Sequence, residues 1–357
     1  MKLKYIKSLD GVRGYAALMV VVFHFFFSGG ADYSHYIKTL QKITEFGQHG
    51  VSLFFVLSGF LITRILIKSR NDKDYFKKFY IRRILRIFPL YYLYLLFNYY
   101  LIPLFLNSEC TSFKLQLPYY LYLQNFNEIL GFQQNGPGHF WSLAVEEHFY
   151  LLWPALLFFV TPKNLYKIIV ISLILIFILR YFMIDNGYSI NYFTFTRIDQ
   201  IMVGSILALL EIRNILYTKK TAYTFLIMIL SILPLGVLLY QFQSSFQYIN
   251  ELLKHTILAF FFFAVIGIII INPTSKIIRF LLLNKIIQYL GKISYGIYVW
   301  HMMVIYMLQK LLFFKNILLD IFLVILLTIF ISHLSYYYFE VKFLKLKDKL
   351  TKPTIIK

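Results

Sequence analysis

Residues 9–27 read LDGVRGYAALMVVVFHFFF. The run is close to the ~20 mostly apolar residues that a helix needs to cross a bilayer, yet it holds an arginine and a histidine. Arg13 and His24 stand eleven residues apart. At ~100° per residue this is about three full turns, so a helix puts both on one stripe, His24 ~16 Å further along the axis. Ionisable groups inside a span are costly enough to mark function by default. Two of them on one face predict a polar track running inward from one membrane surface.

The apolar signal recurs to the end of the chain. Of 357 residues, 59% are hydrophobic and 20% aromatic, with a mean hydropathy of +0.67, values outside the range of soluble domains. Candidate spans centre near Val21, Val56, Leu95, Leu152, Ile174, Ile206, Leu230, Phe263, Val304 and Ile325. They predict an all-α, polytopic integral membrane protein of about ten transmembrane helices. The segment at Ile206 is polar at its start, and Pro89 and Pro103 interrupt the one at Leu95. Residues 1–345 are expected to form one transmembrane domain and 346–357 a basic cytoplasmic tail. The opening residues also have the outline of a signal peptide, but Arg13 and His24 suit no disposable segment and many spans follow.

A net charge of +20 could point to nucleic acid, but the placement of the basic residues gives a better account. With the N-terminus inside, the inward segments carry 26 Lys and Arg and the outward segments 6, the remaining Arg13, Arg64, Arg180 and Arg197 lying in or beside spans. Lysine and arginine collect on the cytoplasmic side of membrane proteins. Both termini are therefore expected in the cytoplasm, in the inner (cytoplasmic) membrane, with no nucleic-acid partner. The single cysteine, Cys110, falls in an outward loop and permits no intramolecular disulfide. No metal-ligand pattern occurs.

Five further stretches rise above this background. In FGQHGVSLFFVLSGFLI (46–62), Gly47, Gly50, Ser58 and Gly59 are small enough to let helices approach closely. In KKFYIRRILRIFPLYY (77–92), Arg83 and Arg86 share a helix face; they fit either an anionic-lipid contact or a phosphate clamp, since guanidinium forks bind phosphate bidentately. PGHFWSLAVEEHFYLLWP (137–154) places Glu146, Glu147 and His148 consecutively at the opening of a span, where they point in three directions and no single partner can hide them all. Glu146 is expected to act on a substrate or to orient a group that does, whereas Trp141 also suits an aromatic belt at the interface. The last two signals are RIDQIMVGSILALL (197–210) and LGKISYGIYVWHMMV (290–304). Arg197 and Asp199 could neutralise one another at a helix start, and His301 fits helix packing as well as it fits catalysis.

The succession LDGVRG with its distant His, GVSLFFVLSGFLI, RILRIFP, WSLAVEEHFY, RIDQIMVG and LGKISYGIYVWH resembles the acyltransferase 3 family of integral membrane proteins, over residues 8 to about 340. The family includes O-acetyltransferases acting on O-antigen, capsule and exopolysaccharide. The resemblance implies that Arg13 and His24 belong to the site of acyl transfer, that Arg83 and Arg86 handle an acyl-CoA donor, acetyl-CoA above all, and that Glu146 is the acid following Trp-Ser-Leu. Asp199 and His301 match polar positions of less settled role, and with Trp141 and Glu146 they are candidate substrate-binding residues. The chain departs at YYYFEVKFL (336–344), where Glu340 matches but the proline that usually follows is missing. Some relatives carry an added extracytoplasmic esterase-like domain; this chain, ending soon after its last span, is expected to complete transfer alone or with a separate extracytoplasmic partner.

The chemistry agrees with the residues. Acyl transfer from a thioester to a sugar hydroxyl needs a base for the alcohol proton and cationic donors for phosphates and a developing oxyanion, and an imidazole titrates in the range a base requires. The expected catalytic set is His24, Glu146 and Arg13, with Glu146 on the side of the saccharide acceptor because its helix would begin at the outer face. Two other readings remain open: a transporter or flippase for a polar or lipid-linked substrate, since buried charges also line transport paths, and a non-catalytic membrane subunit.

Overall fold

The computed structural model describes residues 5–28, 35–241, 247–311 and 316–351. Among them there is no strand, and ten helices have 18 residues or more: α1 (Ser8–Ser28), α2 (Gly50–Ser69), α3 (Tyr75–Leu96), α4 (Trp141–Phe159), α5 (Pro162–Asp185), α6 (Thr194–Ile212), α7 (Lys219–Gln241), α8 (Gln247–Ile271), α9 (Ser294–Leu311) and α10 (Ile317–Leu334). Each expected span centre falls on one of the ten.

Seven of the described helical runs are long and apolar enough to cross a membrane: Ser8–Phe27, Leu40–Ser69, Tyr75–Phe105, Pro162–Asp185, Lys219–Leu238, Gln247–Ile271 and Ile317–Leu350. The chain is a multi-pass membrane protein. The three long helices outside that set are α4, α6 and α9, with Glu146, Glu147 and His148 on the first, Arg197, Asp199 and Gln200 on the second and His301 on the third. Their polar residues face protein: Asp199, Gln200 and His301 are fully buried. Apolar groups lie outside instead. Ile171, Ile174, Leu175 and Ile178 of α5 and Ile227, Leu230 and Val237 of α7 are exposed, the order a hydrocarbon solvent favours.

Close approach between helices sets the frame. The α2–α6 crossing rests on Gly59 and Gly204, where a β-carbon would run into the backbone carbonyl of Ile201 or of Val56. Glycine is required at both points because the two backbones are already in contact. Thr63 donates to Ser205 across this crossing at 2.8 Å, and Trp153 of α4 donates to Thr63 at 2.8 Å. On the other side of the molecule α1 packs on the short helix Lys285–Lys292, on α9 and on α2. Helix α1 thus runs through the centre of the bundle.

Pro89 does not interrupt its span. Helix α3 continues through it and on through a π-helical turn, Phe97–Leu101, to Phe105, because neighbouring helices tolerate a proline within membrane spans. The departure at 336–344 has a comparable outcome. Without a proline to end backbone pairing, α10 passes through a π-helical turn, Ser335–Glu340, into a helix at Val341–Leu350 that packs on α3. The expected boundary at residue 345 falls inside that helix; of the basic tail, residues 352–357 lie outside the described residues.

Candidate active site

Between the first turns of α1, the middle of α2, the start of α3 and the first half of α4 lies a cavity of about 470 Å³. Five arginines line it: Arg13, Arg64, Arg82, Arg83 and Arg86. Arg13 is paired at 2.9 Å with Asp10, one turn earlier on α1, which also accepts from the Tyr5 hydroxyl. Arg64 is held by both carboxylate oxygens of Glu211, at 2.5 and 2.8 Å, and Arg82 donates to Thr351 at 3.1 Å. Among the described residues Arg83 and Arg86 make no ion pair within 4.0 Å. The Arg83 guanidinium lies over the Tyr150 ring at 5.5 Å, and its buried Nε has no hydrogen-bond partner. Two guanidinium groups without a carboxylate leave the cavity a demand for anions.

Glu146 lines the same cavity, beside Ser58 and Tyr150, whose hydroxyls are 2.6 Å apart. Its neighbours diverge as three successive helical positions must. His148 meets the Thr194 hydroxyl at 2.7 Å, and Glu147 leaves one buried carboxylate oxygen unpartnered. Glu146, expected on the acceptor side, lines the same cavity as the arginines. It stands five residues beyond Trp141, the first residue of α4, and the cavity reaches it there.

At its inner end the cavity meets Phe54, Ser142 and Tyr298. Behind Tyr298 three imidazoles gather. The His24 ring centroid is 4.9 Å from that of His301, His139 is 5.0 Å from His301, and His24 and His139 are 6.5 Å apart. His24 is not among the cavity's lining residues; Tyr298, which is, has its ring 5.7 Å from that of His301. The hydrogen bonds assign the protons. His301 Nδ1 lies 2.6 Å from the Tyr298 carbonyl, which can only accept, so in the neutral ring Nδ1 carries the hydrogen and Nε2 a lone pair. His24 Nδ1 lies 3.1 Å from that lone pair and 3.0 Å from the Val20 carbonyl, so it must donate. His24 Nε2 is left with the lone pair a base or nucleophile needs.

Two expected residues sit elsewhere. Asp199 is fully buried and paired at 2.8 Å with Arg180, with Thr256 donating to it at 2.8 Å. Its partner is not Arg197, since positions two apart diverge on a helix. None of the three residues of this network lines the arginine cavity. Arg197 instead covers the Trp141 ring at 4.9 Å and donates to the Asn191 carbonyl and to His255. Trp141 also packs edge-on against Tyr192 at 5.3 Å and Phe55 at 5.9 Å, and only Phe55 of these reaches the cavity.

The family model described as an acyltransferase domain matches residues 6–337. The chain belongs to the acyltransferase 3 family. Similar proteins include the peptidoglycan O-acetyltransferase OatA of Listeria monocytogenes, 31% identical over 332 residues, covering 84% of this chain and 49% of that protein. A putative O-acetyltransferase of Staphylococcus aureus strain COL is 29% identical over 374 residues, covering 96% and 58%. The putative peptidoglycan O-acetyltransferase YrhL of Bacillus subtilis is 28% identical over 364 residues, covering 94% and 54%. The chain thus spans about half the length of these relatives. No solved structure matches it.

Within this acyltransferase 3 chain the structure adds residues that the sequence reading passed over. Asp10 was signalled by its i, i+3 distance from Arg13, and Tyr298 by the same distance from His301. His139 stands two residues before Trp141 in a motif read for its acids, and nothing in the linear order links it to His24. Among the described residues no group of His, Cys, Asp and Glu is arranged to hold a metal.

Proposed function

We propose that the chain is a membrane-bound O-acetyltransferase that moves an acetyl group from cytoplasmic acetyl-CoA to a hydroxyl of an extracytoplasmic or lipid-linked glycan, with a cell-wall glycan as the first acceptor to test. One juxtaposition carries the reading: Arg13, Arg83, Arg86 and Glu146 line a single cavity with Tyr298, whose ring is 5.7 Å from His301, the hydrogen-bond partner of His24. The names of the relatives support acetyl as the group and the cell wall as the destination.

In this reading the ten long helices all cross the inner (cytoplasmic) membrane, and both termini are cytoplasmic. Arg83 and Arg86 grip the phosphates of acetyl-CoA, where a planar fork outperforms an ammonium, and Arg13, steadied by Asp10, completes the anion site. The pantetheine arm extends along the cavity and, with the Tyr298 ring turned aside, presents the thioester to His24 Nε2. Glu146 orients the donor end. Trp141 and its covering Arg197 belong to the acceptor side, where an indole face suits a sugar ring. Any further extracytoplasmic partner would act after the membrane step.

The test is incorporation of label from acetyl-CoA into surface glycan by cells expressing the full chain, with His24→Ala as the control. Label in the wild type and none in the variant, at equal amounts in the membrane, is the expected result. Full labelling by His24→Ala would remove the central assignment. Movement of an unmodified glycan across the membrane, with no ester formed, would favour a transporter instead.

A further inference from the structure

We infer that His139 is the base that takes the proton from the acceptor hydroxyl, after His24 has itself received the acetyl group. This rests on the proposed acetyl transfer through His24 and adds a second imidazole with a separate duty.

His139 Nε2 lies 3.2 Å from the Val299 carbonyl, which can only accept, so in the neutral ring Nε2 carries the hydrogen and Nδ1 a lone pair. That Nδ1 is buried and has no hydrogen-bond partner, although the residue is only 4% exposed. Buried acceptors are nearly always satisfied, so an orphan of this kind calls for an explanation such as a catalytic role. The ring is held from both sides of its backbone: the Tyr298 hydroxyl donates to the His139 carbonyl at 2.5 Å, and Ser142 meets both. Tyr298 and Ser142 line the arginine cavity and His139 does not. The orphan nitrogen therefore lies behind the donor cavity's inner wall, in the three-imidazole cluster and two residues from Trp141.

Of the three rings, His301 spends its Nε2 lone pair on His24 Nδ1–H, and His24 Nε2 is the nucleophile. In the first step Nε2 of His24 attacks the thioester carbon. The N–C bond forms, the C–S bond breaks with its electron pair going to sulfur, and the Nδ1 proton passes to His301 Nε2. Acetylated on Nε2, His24 keeps a lone pair only on Nδ1, where it accepts from the now cationic His301, so it has none free for the acceptor's proton. The one unused lone pair in the cluster is His139 Nδ1. In the second step the acceptor oxygen attacks the acetyl carbon as its proton moves to His139 Nδ1. The C–O bond forms, the C–N bond breaks, and its electron pair returns to His24, which regains its proton from His301. The proton on His139 leaves through solvent and balances the thiolate of the first step. Direct transfer, by contrast, would use His24 alone as the base and leave His139 with nothing to do.

Cells expressing the full chain are pulsed with labelled acetate, and label is read in two places: base-labile acetyl on the surface glycan and hydroxylamine-sensitive acetyl on the chain. The variants are His139→Gln, whose amide keeps the bond to the Val299 carbonyl, and His139→Asn, which fills the Nδ1 side; neither can accept a proton. With at least one of them at wild-type level in the membrane, glycan label falls about 10²-fold or more, the scale of a lost general base, while label on the chain is maintained or rises. Glycan label within twofold of the wild type in either variant overturns the inference, as does a parallel loss of both signals in a membrane-inserted variant. His24→Ala separates the two levels: glycan label surviving in it defeats the acetyl-transfer reading itself, whereas loss of both signals there with normal transfer by His139→Gln defeats only the second base.

Discussion

One nitrogen of His24 has two neighbours, and that decides what the other nitrogen can do. His301 and the Val20 carbonyl both claim Nδ1, fixing the tautomer in the way a carboxylate does in a catalytic triad. His301 is not among the residues that line the arginine cavity, and it acts through His24 by holding and exchanging the Nδ1 proton, so its loss should appear in turnover and not in donor binding. His301→Ala is expected to lower kcat by about 10²-fold or more with the KM for acetyl-CoA within a factor of about two, since only a transition-state interaction has gone. A larger change in KM than in kcat would show His301 acting on the donor. His24 and Arg13 were legible in the sequence because eleven residues on a helix is a distance that can be calculated. His139 was not, because the contact that gives it meaning comes from a helix about 160 residues away.

Helices α4, α6 and α9 stand outside the seven runs long and apolar enough to cross a membrane, and the residues that lower their hydropathy pack against protein. The ten helical segments were readable from sequence, and so was the Gly59 region as a packing surface, whereas its Gly204 counterpart was not. The α6 polar signal was misread in its partner, because Arg180 comes from α5 and not from the same helix. Asp199 is the test of that difference. Removing one member of a buried ion pair strands the other charge, and Asp199→Asn should cost about 3–5 kcal/mol, read as a lower Tm in detergent. The double variant Arg180→Met/Asp199→Leu removes both charges and should recover most of that stability together with transferase activity. A well-folded double variant without activity would return Asp199 to the substrate site.

At the scale of the whole molecule the reading depends on which way the bundle sits. The basic residues fall 26 to 6 between the two expected sides, and the arginine cavity opens beside Asp10 and Arg86, on the side given to the cytoplasm. The proposed donor, acetyl-CoA, is met on that side, so an inverted bundle would separate the arginines from it. The single cysteine, exposed Cys110 between α3 and α4, offers a direct measurement. A membrane-impermeant maleimide should label it in intact cells. In a Cys110→Ser background, Asp348→Cys, at a side chain 71% exposed, should react only after the cells are opened. The reverse pattern would place Arg83 and Arg86 outside, and the guanidinium pair would then have to be reassigned from a coenzyme to an extracytoplasmic anion, leaving His24 without a donor.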